Sequence, residues 1–109
     1  MFSEAPERGS LRVVRKHFTD RDLNYTKLLA QRIARRQNAV ALLACDHPQP
    51  SLVFAQTVGG PGDMGLWMKE AMTSLGGRGG GARDMAQGGA PAGADLDGAL
   101  DAAFARLPA

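Results

Sequence analysis

The sequence predicts an α/β (α+β) fold, in which a small mixed β-sheet is covered by about three helices and a Gly-rich loop joins the last two helices. Three observations point to this fold. Short apolar runs of strand length alternate with stretches in which apolar residues recur every three or four positions. Seven of the fourteen glycines fall within residues 76–89, between two such helical stretches. At 109 residues, the chain is one ordinary domain, long enough to bury a modest core but too short for two independent ones.

The first predicted elements are a strand over Leu11–Phe18 and a helix after it. The strand contains the β-branched pair Val13 and Val14. Thr19 or Asp20 is the predicted N-cap, because a side-chain oxygen there can accept hydrogen bonds from N–H groups of the first turn. The helix is amphipathic: the side predicted to face the sheet comprises Tyr25, Leu28, Leu29 and Ile33, and the solvent side comprises Lys27, Gln31 and Arg35.

Two more strands are predicted over Ala39–Cys45 and Ser51–Val58. The intervening residues 46–50 include two prolines and form a predicted turn, so the two strands are expected to pair as a hairpin. Residues 59–62 read Gly-Gly-Pro-Gly and interrupt the chain again.

Two further helices are predicted, each with an aspartate as N-cap. Asp63 precedes a helix whose apolar stripe holds three methionines and the single tryptophan, and we interpret this stripe as core instead of a ligand site. Gly76 suits a left-handed helix end, and Asp95 precedes the last helix. The two apolar stripes are Met64, Trp67, Met68, Ala71, Met72 and Leu75, and Leu96, Ala99, Leu100, Ala103, Phe104 and Leu107. The pattern also allows a short strand at Met85–Gln87.

Charge is distributed unevenly along the chain. Residues 1–36 carry nine Lys or Arg against four Asp or Glu, whereas residues 37–109 carry four against seven. A basic surface attracts polyanions, so nucleic acid is a candidate partner. The cations that could form this surface are Arg12, Arg15, Lys16, Arg32, Arg35 and Arg36. The three arginines at the end of the first helix have an alternative role, because cations there stabilise the helix dipole.

Other functional classes find little support in the sequence. The longest apolar run, Ala39–Cys45, is too short to cross a membrane, so we expect no membrane partner. The single cysteine gives no disulfide, and the default location is the cytoplasm. One cysteine and two histidines predict neither a metal site nor any other cofactor. No residues form a catalytic constellation, so we expect no catalysis by this chain alone.

The Gly-rich segment 76–89 is the candidate functional site. Glycines allow backbone N–H groups to turn towards an anion, and Arg78 and Arg83 add guanidinium groups that match phosphate. A flexible linker is the alternative interpretation, and the segment matches no nucleotide-hydrolysing P-loop. The residues predicted to contact phosphate or RNA are Gly76, Gly77, Arg78, Gly79, Gly80, Gly81, Arg83, Asp84, Gln87, Gly88 and Gly89.

The string Gly-Gly-Arg-Gly-Gly-Gly-Ala-Arg-Asp-Met-Ala-Gln-Gly-Gly over residues 76–89 resembles the signature of the C-terminal, DHH-associated domain of alanyl-tRNA synthetases and long-form alanyl-tRNA editing proteins. Ala82 and Arg83 stand where Arg-Pro is common in that family. The resemblance extends more weakly upstream to about Leu11. Residues 11–109 are therefore expected to form a single DHH-associated nucleic-acid-binding domain, after a flexible N-terminal segment over residues 1–10.

The resemblance implies a non-catalytic module that binds tRNA, with tRNA-Ala as the expected partner. The catalytic domain would lie elsewhere in the parent chain or in a separate protein. The alternative is the substrate-binding domain of a DHH-type phosphoesterase, which would hold a nucleotide phosphate beside a metal-bearing domain. The Met and Trp stripe also raises a third hypothesis, a protein-interaction or homodimerisation module.

Overall fold

A single mixed β-sheet with helices on both of its faces forms the domain. The computed structural model describes residues 7–8, 11–47, 49–60 and 62–107. The strands are β1 (Glu7–Arg8), β2 (Leu11–Asp22), β3 (Ala39–His47), β4 (Ser51–Gln56), β5 (Arg78–Gly81) and β6 (Met85–Gly89). The helices are α1 (Leu23–Ala34), α2 (Met64–Leu75) and α3 (Leu96–Ala105). The predicted mixed sheet with three helices is confirmed.

The strand order across the sheet is β1-β2-β3-β4-β6-β5. Strands β2 and β3 are parallel and are connected through α1, whereas the remaining neighbours pair antiparallel. The predicted hairpin of the second and third long strands is confirmed, because β3 and β4 pair from Val40 opposite Gln56 to Cys45 opposite Ser51. Apolar residues of β3 and β4 are buried on both faces, as expected for central strands under two helical layers.

Each face of the sheet has its own core. On one face, α1 packs through Ala30 and Ile33 against a cluster that includes Val14, Leu43 and Val53. On the other face, α2 and α3 contribute buried methionines and leucines to a cluster around Phe54. Met64, Met68 and Met72 are buried there, so the Met stripe is core as predicted.

The start and the orientation of α1 differ from the prediction. Thr19 and Asp20 lie within β2, which continues to Asp22 opposite His47, so the predicted cap at either residue is wrong. Asp22 caps the helix instead, by accepting a hydrogen bond from the Tyr25 backbone N–H at 2.9 Å. The side of α1 that faces the sheet carries Thr26, Ala30 and Ile33.

Tyr25 and Leu28, which were predicted to be core, lie towards solvent. They are 39% and 57% exposed. The small side chains of Thr26 and Ala30 let α1 approach the sheet closely, and the Thr26 hydroxyl is satisfied by donating to the Asp22 carbonyl oxygen at 2.9 Å. Tyr25 packs at the helix margin instead, with its ring 5.5 Å from that of Phe18.

The caps of the other two helices agree with the prediction. Asp63 accepts from the Leu66 backbone N–H, and Asp95 accepts from that of Gly98. Gly76 ends α2 with a φ of 77°, the left-handed conformation that glycine adopts at little cost.

The Gly-rich segment is a β-hairpin, so the expectation of a loop between the last two helices is wrong. Arg78–Gly81 and Met85–Gly89 pair antiparallel as β5 and β6, and β6 also pairs with β4. The strand allowed at Met85–Gln87 is confirmed as part of β6. The segment thus forms two strands of the sheet and is not a flexible linker between two helices.

Of the N-terminal segment 1–10, the structure describes only Glu7–Arg8, which pair with β2; the expectation for the other residues lies outside the described part. No helix among the described residues is long and apolar enough to cross a membrane.

His17 on β2 connects the sheet to α3. Its Nε2 lies 2.8 Å from Asp46 Oδ1 on β3, and its Nδ1 lies 3.0 Å from Asp97 Oδ1 on α3. Carboxylates only accept, so both ring nitrogens donate when the imidazole is protonated. Burial of the ring by itself lowers the pKa of His17, but the hydrogen bonds with Asp46 and Asp97 outweigh it and the pKa is raised above 6.5.

We expect the His17 contacts to stabilise the fold more at low pH. A pKa raised by folding adds stability that is complete below the unfolded-state value, about 6.5, and is lost as the pH rises through the folded-state value. His17→Gln should therefore lower the free energy of unfolding in urea more at about pH 5.5 than at about pH 8.5. The control, Asp101→Asn, breaks the neighbouring ion pair with Arg15 and should act similarly at both pH values. Equal losses for His17→Gln at both pH values would contradict the expectation.

Candidate nucleic-acid interface

The glycines of the hairpin are required mainly by close packing. A Cβ at Gly79 would lie 2.7 Å from the Gly88 Cα, and one at Gly88 would lie 2.6 Å from Met72 Cγ on α2. Gly80 differs, because a Cβ there would have no heavy atom within 4 Å. The backbone of this segment is extended and paired in the sheet. Its N–H groups therefore do not all turn to one side, as the predicted anion-binding loop would require. Contact of these glycines with phosphate stays a prediction. The case for a binding site in this segment now depends mainly on its side chains.

Arg78 and Gln87 lie on the face of the sheet that α1 covers. Arg78 is opposite Gly89, which is opposite Ser51, while Gln87 is opposite Val53 of the α1-side core. Together they border a cavity of about 340 Å³. We call it the hairpin pocket, and its lining residues are Leu23, Gln49, Ser51, Arg78, Gln87, Gly88 and Gly89.

Arg83 lies at the other end of the hairpin from Arg78. Its Nη2 donates to the Gly60 carbonyl oxygen at 3.1 Å. The Gly60 N–H donates to the Thr57 carbonyl oxygen, and the Thr57 hydroxyl donates to the carbonyl oxygen of Arg36. Arg83 is thereby placed beyond the end of β4, near the residue that follows the C-cap of α1, so the two predicted arginines of the segment do not form one site.

The predicted basic surface divides between the two faces of the sheet. Arg12 and Lys16 are paired with Ala39 and Leu43, which belong to the α1-side core, so both cations lie on the α1 side. Arg15 lies on the opposite side, where its Nη1 is 2.6 Å from Asp101 Oδ1. Its guanidinium carbon is also 4.8 Å from the centre of the Phe104 ring on α3. Arg15 is thus held by α3 and separated from the other predicted cations.

The C-terminal end of α1 carries Arg32, with Arg35 as C-cap and Arg36 directly after it, and all three are exposed. Two further cations on this side were not predicted as site residues. Arg21 lies with its guanidinium carbon 4.8 Å from the Tyr25 ring centre, and Lys27 is on α1. The helical pattern already placed Lys27 on the solvent side of α1. The position of Arg21 could not be predicted, because the strand was expected to end at Phe18 and β2 continues to Asp22.

We define the basic face as the α1 side of the domain. Its cations are Arg12, Lys16, Arg21, Lys27, Arg32, Arg35, Arg36 and Arg78. Helix α1 itself contains no acidic residue, although its N-cap is Asp22. The opposite layer has the reverse balance: α2 and α3 with their capping residues carry five carboxylates and two cations. The sheet therefore separates a cationic helical surface from an acidic one.

Gln56 is a structural residue of the site that sequence reasoning missed. It is buried at the end of β4, and its Nε2 donates to the Gly62 carbonyl oxygen at 2.8 Å and to Asp84 Oδ1 at 2.9 Å. Its Oε1 accepts from the Gly62 N–H at 3.0 Å. These bonds fix the hairpin turn beside the start of α2. Its polar type at the end of an apolar strand is the only signal in the sequence.

The His, Cys, Asp and Glu side chains in the part of the chain that the structure describes are those that could bind a metal ion, and the single cysteine is buried. No cluster of three or more His, Cys, Asp or Glu side chains is placed to hold a metal ion there. Burial raises the pKa of the Cys45 thiol, so the thiolate is disfavoured and the residue packs as a small apolar side chain.

The geometry defines an α/β domain with a basic face and a Gly-rich hairpin. A family model described as the DHHA1 domain matches residues 23–108, which is most of the chain. The chain belongs to the DHHA1 domain family, and the resemblance seen in residues 76–89 is confirmed at the level of the family.

A solved structure shows the same fold. The C-Ala domain from Aquifex aeolicus alanyl-tRNA synthetase aligns with a TM-score of 0.81 and 20% sequence identity, over 97% of this chain and 99% of that chain. A comparison with curated proteins found no match.

We expect Gln56→Leu to destabilise the domain by about 2 to 3 kcal/mol, because it leaves the buried backbone groups of Gly62 and the half-buried carboxylate of Asp84 without their partner. Urea denaturation measures this change. The matched control is Gln31→Leu on the exposed side of α1, which should change stability by no more than about 0.5 kcal/mol. Similar effects of the two substitutions would disprove the structural role of Gln56.

The glycines of the hairpin are expected to differ in their tolerance of a methyl group. Gly88→Ala should cost about 1 to 3 kcal/mol, since Met72 and the backbone of β5 leave no room for a Cβ. Gly80→Ala should be close to neutral because the space beside it is open. Thermal denaturation of the two variants provides the comparison, and an equally damaging Gly80→Ala would show that the packing argument fails.

Proposed function

We propose that this domain is a non-catalytic nucleic-acid-binding module that binds tRNA through its basic face. The observation that carries the proposal is the concentration of eight cations, counted over the side chains that the structure describes, on the α1 side of the sheet, with carboxylates concentrated on the other side. A polyanion gains free energy on such a surface by releasing counterions. Membership of the DHHA1 family and the likeness to a domain of an alanyl-tRNA synthetase support tRNA as the nucleic acid.

The arrangement of the cations suits the backbone of a structured RNA. Arg32, Arg35 and Arg36 lie at the C-terminal end of α1. Arg78 borders the hairpin pocket, which is also lined by Leu23, the first residue of α1. Groups at both ends of one helix can contact phosphates that are well separated along the RNA. Phosphate contacts position an RNA without reading its sequence, so recognition by shape is expected.

Side chains on the basic face can also contact bases. Tyr25 and Leu28 are exposed on α1, and Arg21 lies over the Tyr25 ring. An aromatic ring next to a guanidinium is a favourable surface for an unpaired base. The hairpin pocket adds the amide of Gln87, which can donate and accept hydrogen bonds.

The proposed context is an alanyl-tRNA synthetase or an alanyl-tRNA editing protein, with tRNA-Ala as the partner and the cytoplasm as the compartment. Catalysis would belong to another module or a separate protein. In this role the domain raises the affinity for tRNA, because linking it to a catalytic module makes the second contact intramolecular.

We expect tRNA binding to depend on the basic face and not on cations elsewhere. The double variant Arg35→Ala with Arg78→Ala should weaken tRNA binding by about 1 to 3 kcal/mol and reduce the salt dependence of the affinity, because two phosphate contacts are lost. Fluorescence titration with labelled tRNA at two salt concentrations measures both quantities. The control is Lys69→Ala, an exposed cation on α2 at the opposite side, which should leave both nearly unchanged.

Matched duplex DNA and a mononucleotide serve as competitors in the same titration. Weaker competition by duplex DNA than by unlabelled tRNA supports recognition of RNA shape. Affinity independent of salt, or an equal loss in Lys69→Ala, would rule out the basic face as the binding surface. Binding of the mononucleotide with no binding of tRNA would replace the proposal with the phosphoesterase alternative.

A further inference from the structure

The hairpin pocket lies between the start of α1 and the sheet. Leu23, the first residue of α1, lines it from the helix layer, and Gly88 and Gly89 line it from β6. Its volume of about 340 Å³ is within the range of pockets that hold small ligands, and a phosphate group alone would leave most of this space to water. The pocket therefore has room for a ligand larger than a single anion, with an apolar side chain on one layer and bare backbone on the other.

Arg78 is the cation of this pocket, and its guanidinium is available to a ligand. No Asp or Glu of the described ranges lines the pocket. Among the residues that the structure describes, carboxylates pair with Arg15 and Arg106 but not with Arg78, which is exposed. A guanidinium without a carboxylate partner attracts an anion, and its planar fork matches two oxygens of a phosphate.

Three uncharged polar side chains line the same pocket, namely Gln49, Ser51 and Gln87. Ser51 is 2% exposed, and its hydroxyl donates to the Gln49 carbonyl oxygen at 2.9 Å, so its oxygen is left as an acceptor. The amide of Gln49 lies directly over Gly89, because a Cβ on that glycine would collide with Gln49 Nε2. Gly89 thus makes room for this amide at the pocket, where the two glutamines can each donate and accept hydrogen bonds.

We propose that the hairpin pocket binds one unpaired nucleotide of an RNA. Arg78 contacts a phosphate of this nucleotide, and the base lies between Leu23 and the glycine backbone of β6. The amides of Gln49 and Gln87 bind the edge of the base. A nucleotide is the ligand class that combines an anion, a flat ring with an apolar face and an edge of donors and acceptors.

This inference rests on the proposed RNA-binding function and adds a selectivity that phosphate contacts alone do not give. Bases in a double helix are paired and stacked, so their faces and edges cannot enter a pocket of this kind. The domain therefore selects an RNA in which a nucleotide is exposed, as in a loop or at a single-stranded end.

Two RNA strands separate contacts with the base from contacts with phosphate. One is a labelled single strand of about six nucleotides, and the other is an abasic strand with the same number of phosphates. Fluorescence anisotropy with the full chain of 109 residues measures both affinities. The strand that carries bases should bind about tenfold more tightly, because the abasic strand cannot place a ring in the pocket.

Substitutions of glutamine test the location. Gln87→Leu keeps the approximate size of the side chain and removes its amide, and Gln31→Leu makes the same change on α1 outside the pocket lining. Both residues are exposed, so both variants should fold, as checked by circular dichroism. Gln87→Leu should weaken binding of the base-carrying strand about fivefold and leave binding of the abasic strand unchanged. Gln31→Leu should change neither, whereas Arg78→Ala should weaken both because it removes a phosphate contact.

The same measurements distinguish failure of the pocket proposal from failure of the tRNA proposal. Equal affinities for the two strands, or equal effects of Gln87→Leu and Gln31→Leu, would overturn the pocket as a nucleotide site, while salt-dependent binding of tRNA to the basic face would still stand. An equal loss for both strands in Gln87→Leu would assign this residue to the RNA backbone and also overturn the base contact. Base-dependent binding that Gln87→Leu weakens, without any binding of tRNA, would support the pocket and overturn tRNA as the partner.

Discussion

The burial of β3 and β4 on both faces is the constraint on which the rest of this domain depends. Every residue of Ala39–Cys45 and Ser51–Gln56 is buried, so the two strands can be stable only under a helical layer on each side. The α1 crossover between β2 and β3 supplies one layer, and α2 with α3 supplies the other. The hairpin β5–β6 then continues the sheet beside β4, where α2 packs on it.

This two-sided burial also determines where the charges can be. The central strands exclude ionised groups because an unpaired charge inside the sheet layers would be very costly. The charged residues are therefore carried by the helices, the outer strands and the strand ends, and each helical layer acquires its own sign. Helix α1 is cationic and α3 is acidic, and the sheet keeps these surfaces apart. Arg15 and His17 lie on the side of β2 that faces the acidic helix α3, and both pair with its aspartates.

The Gly-rich segment shows how composition can single out a segment and still misstate its geometry. Glycine content predicts flexible chain or an anion-binding loop, because both use backbone freedom. In the fold, Gly79 and Gly88 are needed for a different reason, namely the closeness of Met72 and of the neighbouring strand. That closeness is a property of how α2 packs on the hairpin. The sequence motif therefore predicted the family and the segment of interest. Only the strand register shows on which side of the sheet Arg78 and Gln87 lie.

What the sequence by itself determined was local: the order of β2, α1, β3, β4, α2 and α3, the Asp63 and Asp95 caps, the left-handed end at Gly76 and the family resemblance of residues 76–89. Each depends on residues a few positions apart, so periodicity and capping chemistry suffice. Only the tertiary structure decided the start of α1 at Asp22, the outward position of Tyr25 and Leu28, and the division of the arginines between two faces. These depend on contacts such as Asp22 with His47 and Arg15 with Asp101, which join residues far apart in the chain and leave no local pattern.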